Sequence, residues 1–212
     1  MSGFELPILW DRGGLVAVAK PAGLPSTGRT LSDPACAQFV LSRQLRRDVW
    51  AVHQLDADTT GVLLFVRKAS LVAPTADALK AGSKTYVALV HGEPAFDERV
   101  VDAPIARTAT GHVVAADGRP ARSTVTVLRV GGGFAAVQVA LHTGRTHQAR
   151  VHLAHLGHPL VGERRYRAPP CERFSRHVLH AARIVLADGP ELVAPTPADV
   201  IALEAALLGG PG

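Results

Sequence analysis

The stretch "LDADTTGVLLFVRK", from Leu55 to Lys68, constrains this chain more than any other. Five consecutive apolar residues, Val62 to Val66, follow a glycine and stop at Arg67 and Lys68. A short apolar run, partly β-branched and bounded by turn residues, reads as a buried strand. Directly before it stand Asp56 and Asp58. A carboxylate pressed against such a strand is costly unless something pairs with it or uses it.

With 212 residues, 47% of them hydrophobic, the chain can bury one good core, and a single domain over 1–212 is expected. No apolar run approaches the ~18 residues that a membrane span needs. The opening "MSGFELPILWDRGG" lacks the basic-then-apolar layout of a signal peptide, so a cytoplasmic protein is expected. Cys36 and Cys171 are far apart, with no metal-type spacing, which argues against a disulfide scaffold or a zinc finger. The net charge of +5 comes mainly from arginine, which greatly outnumbers lysine. Guanidinium grips phosphate in a bidentate fork, so the charge points to a polyanion such as nucleic acid. The bland alternative is that these arginines only solubilise.

Strand and helix signals cluster rather than alternate. "LPILW" and "LVAVAK" read as strands around the turn "DRGG", followed by the loop "PAGLPSTG". In "SDPACAQFVLSRQLRR", Asp33 suits a helix N-cap and Pro34 the first helical position. "SLVAPTADALKAG" reads as a helix closed by Gly82, with Pro74 near its start, and "KTYVALVHG" as a strand. "ARSTVTVLRV", a "GGG" turn and "FAAVQVALH" form a hairpin. "THQARVHLAHLGH" has helical length and ends at Gly157; "HVLHAARIVLADGP" is a strand and "TPADVIALEAALLG" a capped helix. The class is α+β, around an antiparallel or mixed sheet.

Three constellations can carry chemistry. "HTGRTHQARVHLAHLGHPLVG" holds five histidines, His142, His147, His152, His155 and His158. As a metal site it lacks cysteine, and Glu163 is its one close carboxylate, so histidines capping and bonding to backbone are the stronger expectation. Arg145 and Arg150 in the same segment can neutralise a carboxylate from elsewhere, Asp56 included, as a functional or a merely structural ion pair. Lys84 and Tyr86, two positions apart, share one strand face. A tyrosine beside an aspartate can stack on a planar ligand or move a proton, though a strand tyrosine is more often core.

"HQLDADTTGVLLFVRK", "KTYVALVHG" and "TGRTHQARVHLAHLGHPLVGERRY", in that order, resemble the RluA-type pseudouridine synthases. "LVAVAKPAGLPS" is similar to their N-terminal segment and "HVLHAARIVL" to their late strand. The resemblance runs over roughly residues 8–195. It implies the pseudouridine synthase fold: a bent mixed or antiparallel sheet, flanking helices and a central basic cleft. It also implies an RNA substrate, ribosomal or transfer RNA, and a monomer.

By the same resemblance Asp56 is the catalytic carboxylate, attacking a uridine at the ribose C1′ or the base C6. The freed uracil turns and rejoins the ribose through C5, an isomerisation needing no cofactor and no metal. Arg150 is implied as the ion-pair partner of Asp56, and Tyr86 as the residue stacking on the base. A stacked nucleotide has to flip out to be reached. Arg145, His147 and Lys84 are expected to contact RNA. Gln54 stands where the family usually has arginine, which removes a charge from RNA engagement. Asp58 is expected to stabilise the turn with Thr59 and Thr60, and Lys20 to be structural or near the cleft. "GERRY" replaces the more usual "GDxxY". No S4-type RNA-binding domain is expected. The rivals are a non-catalytic RNA-binding protein on the same scaffold, favoured by Gln54, and a metal-dependent hydrolase built on the histidines.

Overall fold

The computed structural model describes residues 5–30, 33–166, 168–169 and 174–209; Cys171, the first four residues and Leu31–Ser32 lie outside them. Twelve strands and four helices are described in chain order. They are β1 (Ile8–Arg12), β2 (Leu15–Lys20), α1 (Ala37–Leu45), β3 (Trp50–Ala51), β4 (Thr60–Val66), α2 (Val72–Ala81), β5 (Ser83–His91) and β6 (Glu98–Asp102). Then come β7 (Ile105–Arg107), β8 (His112–Val114), β9 (Arg122–Gly131), β10 (Phe134–Leu141), α3 (Gln148–His155), β11 (Leu179–Val185), β12 (Glu191–Val193) and α4 (Ala198–Leu208). The chain is α+β, as expected. It clusters into two compact units, Met1–Lys84 with Ala181–Pro195, and Thr85–His180 with Thr196–Gly212.

The first unit is organised by the apolar run Val62–Val66. All seven residues of β4 are buried. It pairs antiparallel with β2, Val18 opposite Leu63 and Lys20 opposite Gly61, and also with β3. The strand order is β1-β2-β4-β11, with β12 antiparallel on β11. Ala17, Val62, Leu64, Leu79, Ile184 and Leu192 form one apolar cluster, which removes one face of β4 and one side of α2 from water. Pro74 sits in the first turn of α2, where its missing N–H costs nothing.

The second unit runs β5-β10-β9-β6, and every one of these pairs is antiparallel. Gly132 and Gly133 close the β9–β10 hairpin with φ of 60° and 80°, the left-handed pair that a two-residue turn needs. Leu89, Ala136, Val161, Val178, Val200 and Leu203 join this sheet to α4. A separate two-stranded ribbon pairs β7 with β8. The strands β6 to β8 had no clear sequence signal: they are three to five residues long, and Val100 and Val113 are exposed.

Two helix starts differ from expectation. Asp33 does not cap α1; its carboxylate accepts from the Ala35 and Arg29 amides, and Cys36 occupies the N-cap. The first amides of α1 bond instead to the loop carbonyls of Pro25 and Ser26, at 2.8 and 3.1 Å. Helix α4 begins after Pro197 with no side-chain cap, so Thr196 does not serve that role.

Gly61 is where the acidic turn becomes a strand. Its φ is +114°, and a Cβ there would run into the Ala181 carbonyl of the neighbouring strand. Backbone strain and that collision act together, so Gly61→Ala is expected to lower unfolding free energy by about 2–4 kcal/mol. A urea midpoint equal to that of the parent would refute this account of the turn.

Candidate active site

Asp56 lies half-buried in the loop between β3 and β4, and its neighbours are held by buried bonds. The Ser26 hydroxyl accepts from the Leu55 amide and donates to the Leu55 carbonyl, both at 2.8 Å. Lys20, only 1% exposed, donates its ammonium hydrogens to the carbonyls of Pro21, Leu24 and Ala57 at 2.7–2.8 Å. The Asp56 carbonyl accepts from the Thr59 amide at 3.0 Å, which closes the turn. Thr59 and Thr60 are buried and Asp58 is half-buried. Lys20 therefore holds the backbone on one side of Asp56 and Ser26 on the other.

Two ionisable groups of the same unit respond to burial. The Leu64 amide donates to His53 Nε2 at 3.2 Å, so that nitrogen must keep its lone pair. Burial, and then the positive charge of Lys84, push the His53 pKa down to about 4. Burial also lowers the pKa of Lys84, which is half-buried at the start of β5. Gln54 is exposed, and its amide donates to the Thr27 hydroxyl at 3.1 Å.

The other candidates stand in the second unit. Tyr86 is 8% exposed on β5, opposite Val139 of β10. Arg150, on α3, is equally buried, and its guanidinium grips Glu163 through Nε and Nη2, each at 2.8 Å. The Glu163 carboxylate is 5% exposed and also accepts from the Arg165 amide. Burial raises its pKa, but the hydrogen bonds and charge of Arg150 outweigh that and hold it below the ordinary carboxylate value. Tyr166 lies under the same guanidinium, ring centre 5.2 Å away, and its phenol meets His147 Nδ1 at 2.6 Å.

The turn before α3 is held by Gln148. Its Oε1 accepts from the Thr143 hydroxyl and the Arg145 amide, and its amide nitrogen donates to the Arg122 carbonyl and Ser123 Oγ. His147 follows in the left-handed region, at φ 57°, as the N-cap of α3. Arg145 Nε donates to the Pro120 carbonyl at 2.9 Å. His152 is fully buried; its Nε2 donates to the Ala103 carbonyl and its Nδ1 accepts from Ser123, a neutral ring. His142 bonds to Thr124, and His158 Nδ1 donates to the His91 carbonyl. These rings point to separate partners. Among the described residues no three of His, Cys, Asp or Glu converge on a metal position.

Residues 14–155 match the family model described as RNA pseudouridylate synthase. An uncharacterised RNA pseudouridine synthase of Chloroflexus aurantiacus is 37% identical over 201 residues, which is 85% of this chain and 63% of that protein. The chain belongs to the RluA-type RNA pseudouridine synthase family. The ribosomal large subunit pseudouridine synthase D of Nitrosomonas europaea is 36% identical over 199 residues, 85% of this chain and 58% of that relative. The chain thus spans about three fifths of the length of these curated relatives. The human RNA Pseudouridylate Synthase Domain Containing 4 shares the fold, with TM-score 0.78 at 24% identity over 95% of this chain and 92% of that one. No helix among the described residues is long and apolar enough to cross a membrane.

Three contributors were missed in the sequence. Glu163 stood out only as the carboxylate nearest the histidines and as a departure in "GERRY", yet it is the carboxylate that Arg150 grips. Its place directly after Gly162, in a buried stretch, was a usable signal. Ser26 and Gln148 carried none, because their roles depend on backbone brought from far along the chain.

Glu163→Ala removes the carboxylate that grips a buried guanidinium, so unfolding free energy is expected to fall by about 3–5 kcal/mol. Chemical denaturation checks this; a loss below about 1 kcal/mol, the scale of an exposed pair, would refute the burial argument. His53 gives a pH test. The folded ring stays neutral down to about pH 4, whereas the unfolded ring titrates near 6.5. As pH drops through that window the unfolded chain gains a proton that the folded chain refuses. Stability from this group is complete above 6.5 and declines toward pH 4, by up to about 3 kcal/mol. The urea midpoint of His53→Gln should vary less between pH 7 and 4 than that of the parent.

Proposed function

We propose that this chain is an RNA pseudouridine synthase, isomerising uridines of ribosomal or transfer RNA in the cytoplasm as a monomer, with Asp56 as its nucleophile. The observation that carries the reading is the family match over residues 14–155, which includes an intact Asp56 whose flanking backbone is held by Lys20 and Ser26. A relative named for the large ribosomal subunit supports the ribosomal choice.

The chemistry asks for a charged carboxylate kept close to a sugar with water excluded. Asp56 attacks the uridine, the bond from C1′ to N1 breaks, and the uracil turns. A bond from C1′ to C5 then forms, C5 gives up its proton, N1 takes one up, and Asp56 is released. The product has the composition of the substrate, so the step balances without an oxidant or co-reactant. Arg150 serves as the counter-charge of Asp56. A guanidinium carries five N–H donors and the grip on Glu163 uses two, so the same fork suits a second carboxylate. Tyr86 stacks on the base and assists the C5 proton. Lys84 and the neutral Gln54 take part in holding RNA.

Asp56→Asn keeps the side-chain shape and removes the nucleophile. Tritium release from RNA labelled at uracil C5 should disappear, with melting temperature and RNA affinity near those of the parent. An active Asn variant would sink the assignment. A parent protein that binds RNA but releases no tritium from total ribosomal and transfer RNA would favour the non-catalytic reading that Gln54 motivates.

A further inference from the structure

The segment from Ile105 to Arg119, "IARTATGHVVAADGR", has no part in the proposed chemistry. It folds back on itself: β7 pairs with β8, and Ile105 also exchanges two backbone hydrogen bonds with Arg119, at 2.9 and 3.0 Å. The result is one wall of an open depression of about 760 Å³. Arg107, His112 and Arg119 line it from this wall, and Arg145 and His147 from the turn before α3. The two walls are tied together where Arg145 Nε donates to the Pro120 carbonyl, next to Arg119. His147 is oriented by the Tyr166 phenol and meets the His112 ring edge-on, centres 5.2 Å apart.

The charge of this groove is one-sided. Among the described residues Asp117 is its one acidic lining residue. Arg122, nearby on β9, has Asp102 at 3.7 Å, and Arg150 has Glu163. Among the described residues no ion pair engages Arg107, Arg119 or Arg145. Arg107 and Arg119 are exposed, and Arg145 is already held by its backbone bond. Three guanidiniums around one depression repel each other unless an anion joins them. A guanidinium presents paired N–H groups that fit phosphate oxygens, and a groove of this size takes a run of phosphates rather than one.

We propose that this groove is a phosphate-contact surface for the RNA strand, gripping backbone rather than the reacting nucleoside. It rests on the reading of the chain as an RNA-modifying enzyme. It adds Arg107, His112 and Arg119 to the RNA contacts, and gives Arg145 and His147 a common task.

The test is the salt dependence of binding of a fluorescein-labelled single-stranded oligouridylate, followed by anisotropy. Replacing both Arg107 and Arg119 by Ala should weaken binding at low salt on the order of tenfold. The slope of log affinity against log salt should shrink by about 1.4, or 0.7 per lost single-strand phosphate contact. Arg107→Lys with Arg119→Lys should keep the slope. An unchanged slope in the Ala variant, or no binding by the parent, overturns the proposal. Poly-glutamate is the carboxylate control: a slope that falls for it but not for RNA points to an acidic protein partner and also overturns it. Tritium release by the parent is scored separately. Release with an unchanged Ala-variant slope sinks the groove alone, and no release with a reduced slope sinks the enzyme reading alone.

Discussion

A lysine ammonium taken out of water keeps its charge only if oxygens replace its hydration shell. Lys20 ends β2, buried opposite Gly61, and three carbonyls from two loops converge on it. One belongs to Ala57, the residue after Asp56. The bond therefore crosses from the first hairpin to the acidic turn and sets where that turn can lie. The strand β4 follows directly and carries the core of the first unit, so the same constraint links an apolar cluster to a polar loop. Gly61 is the joint: no side chain fits between β4 and Ala181.

The second unit answers the same problem differently. It buries polar side chains on one short helix and lets each find its partner. Gln148, Arg150 and His152 are successive alternate residues of α3, and all three are under 9% exposed. Gln148 ties down the preceding turn, Arg150 takes Glu163, and His152 bridges Ser123 and Ala103 as a neutral ring. Because α3 is only eight residues long, intrinsic propensity contributes little and these contacts decide its position. His147 can then occupy the left-handed region at its start, a conformation that costs a non-glycine residue free energy.

Legibility in the sequence followed the range of the interactions involved. The strand at Val62–Val66, the Gly132-Gly133 hairpin and the helix closed by Gly82 are local patterns, and the structure has them where the pattern put them. Asp33 read as a helix cap because an acidic residue before proline usually is one. The carbonyls of Pro25 and Ser26 took that role, which only a tertiary contact can supply. The same holds at the site. Arg150 was visible as a basic residue in need of a carboxylate, but Glu163 was not visible as the one it grips, since a thirteen-residue separation has no periodic signature. The histidines looked like a cluster because they are close in sequence. In space the bonds of His142, His147, His152 and His158 run to four different places, at Thr124, Tyr166, Ala103 and His91.

The distribution of arginines shows why net charge alone could not be read as function. Arg67, Arg129, Arg176 and Arg183 are each matched by a nearby carboxylate and add little to any long-range field. In the groove of the second unit Arg107, Arg119 and Arg145 have no such match among the described residues, and Asp117 is the one acidic residue described there. Gln54, exposed just before the acidic turn, is neutral and bonded to Thr27. A strand of phosphates would meet three guanidiniums in the groove and no charge at Gln54. Under the proposed function that division is useful. Backbone grip and nucleoside chemistry rest on different residues, so a nucleotide can leave the stack at one place while the strand stays held at another.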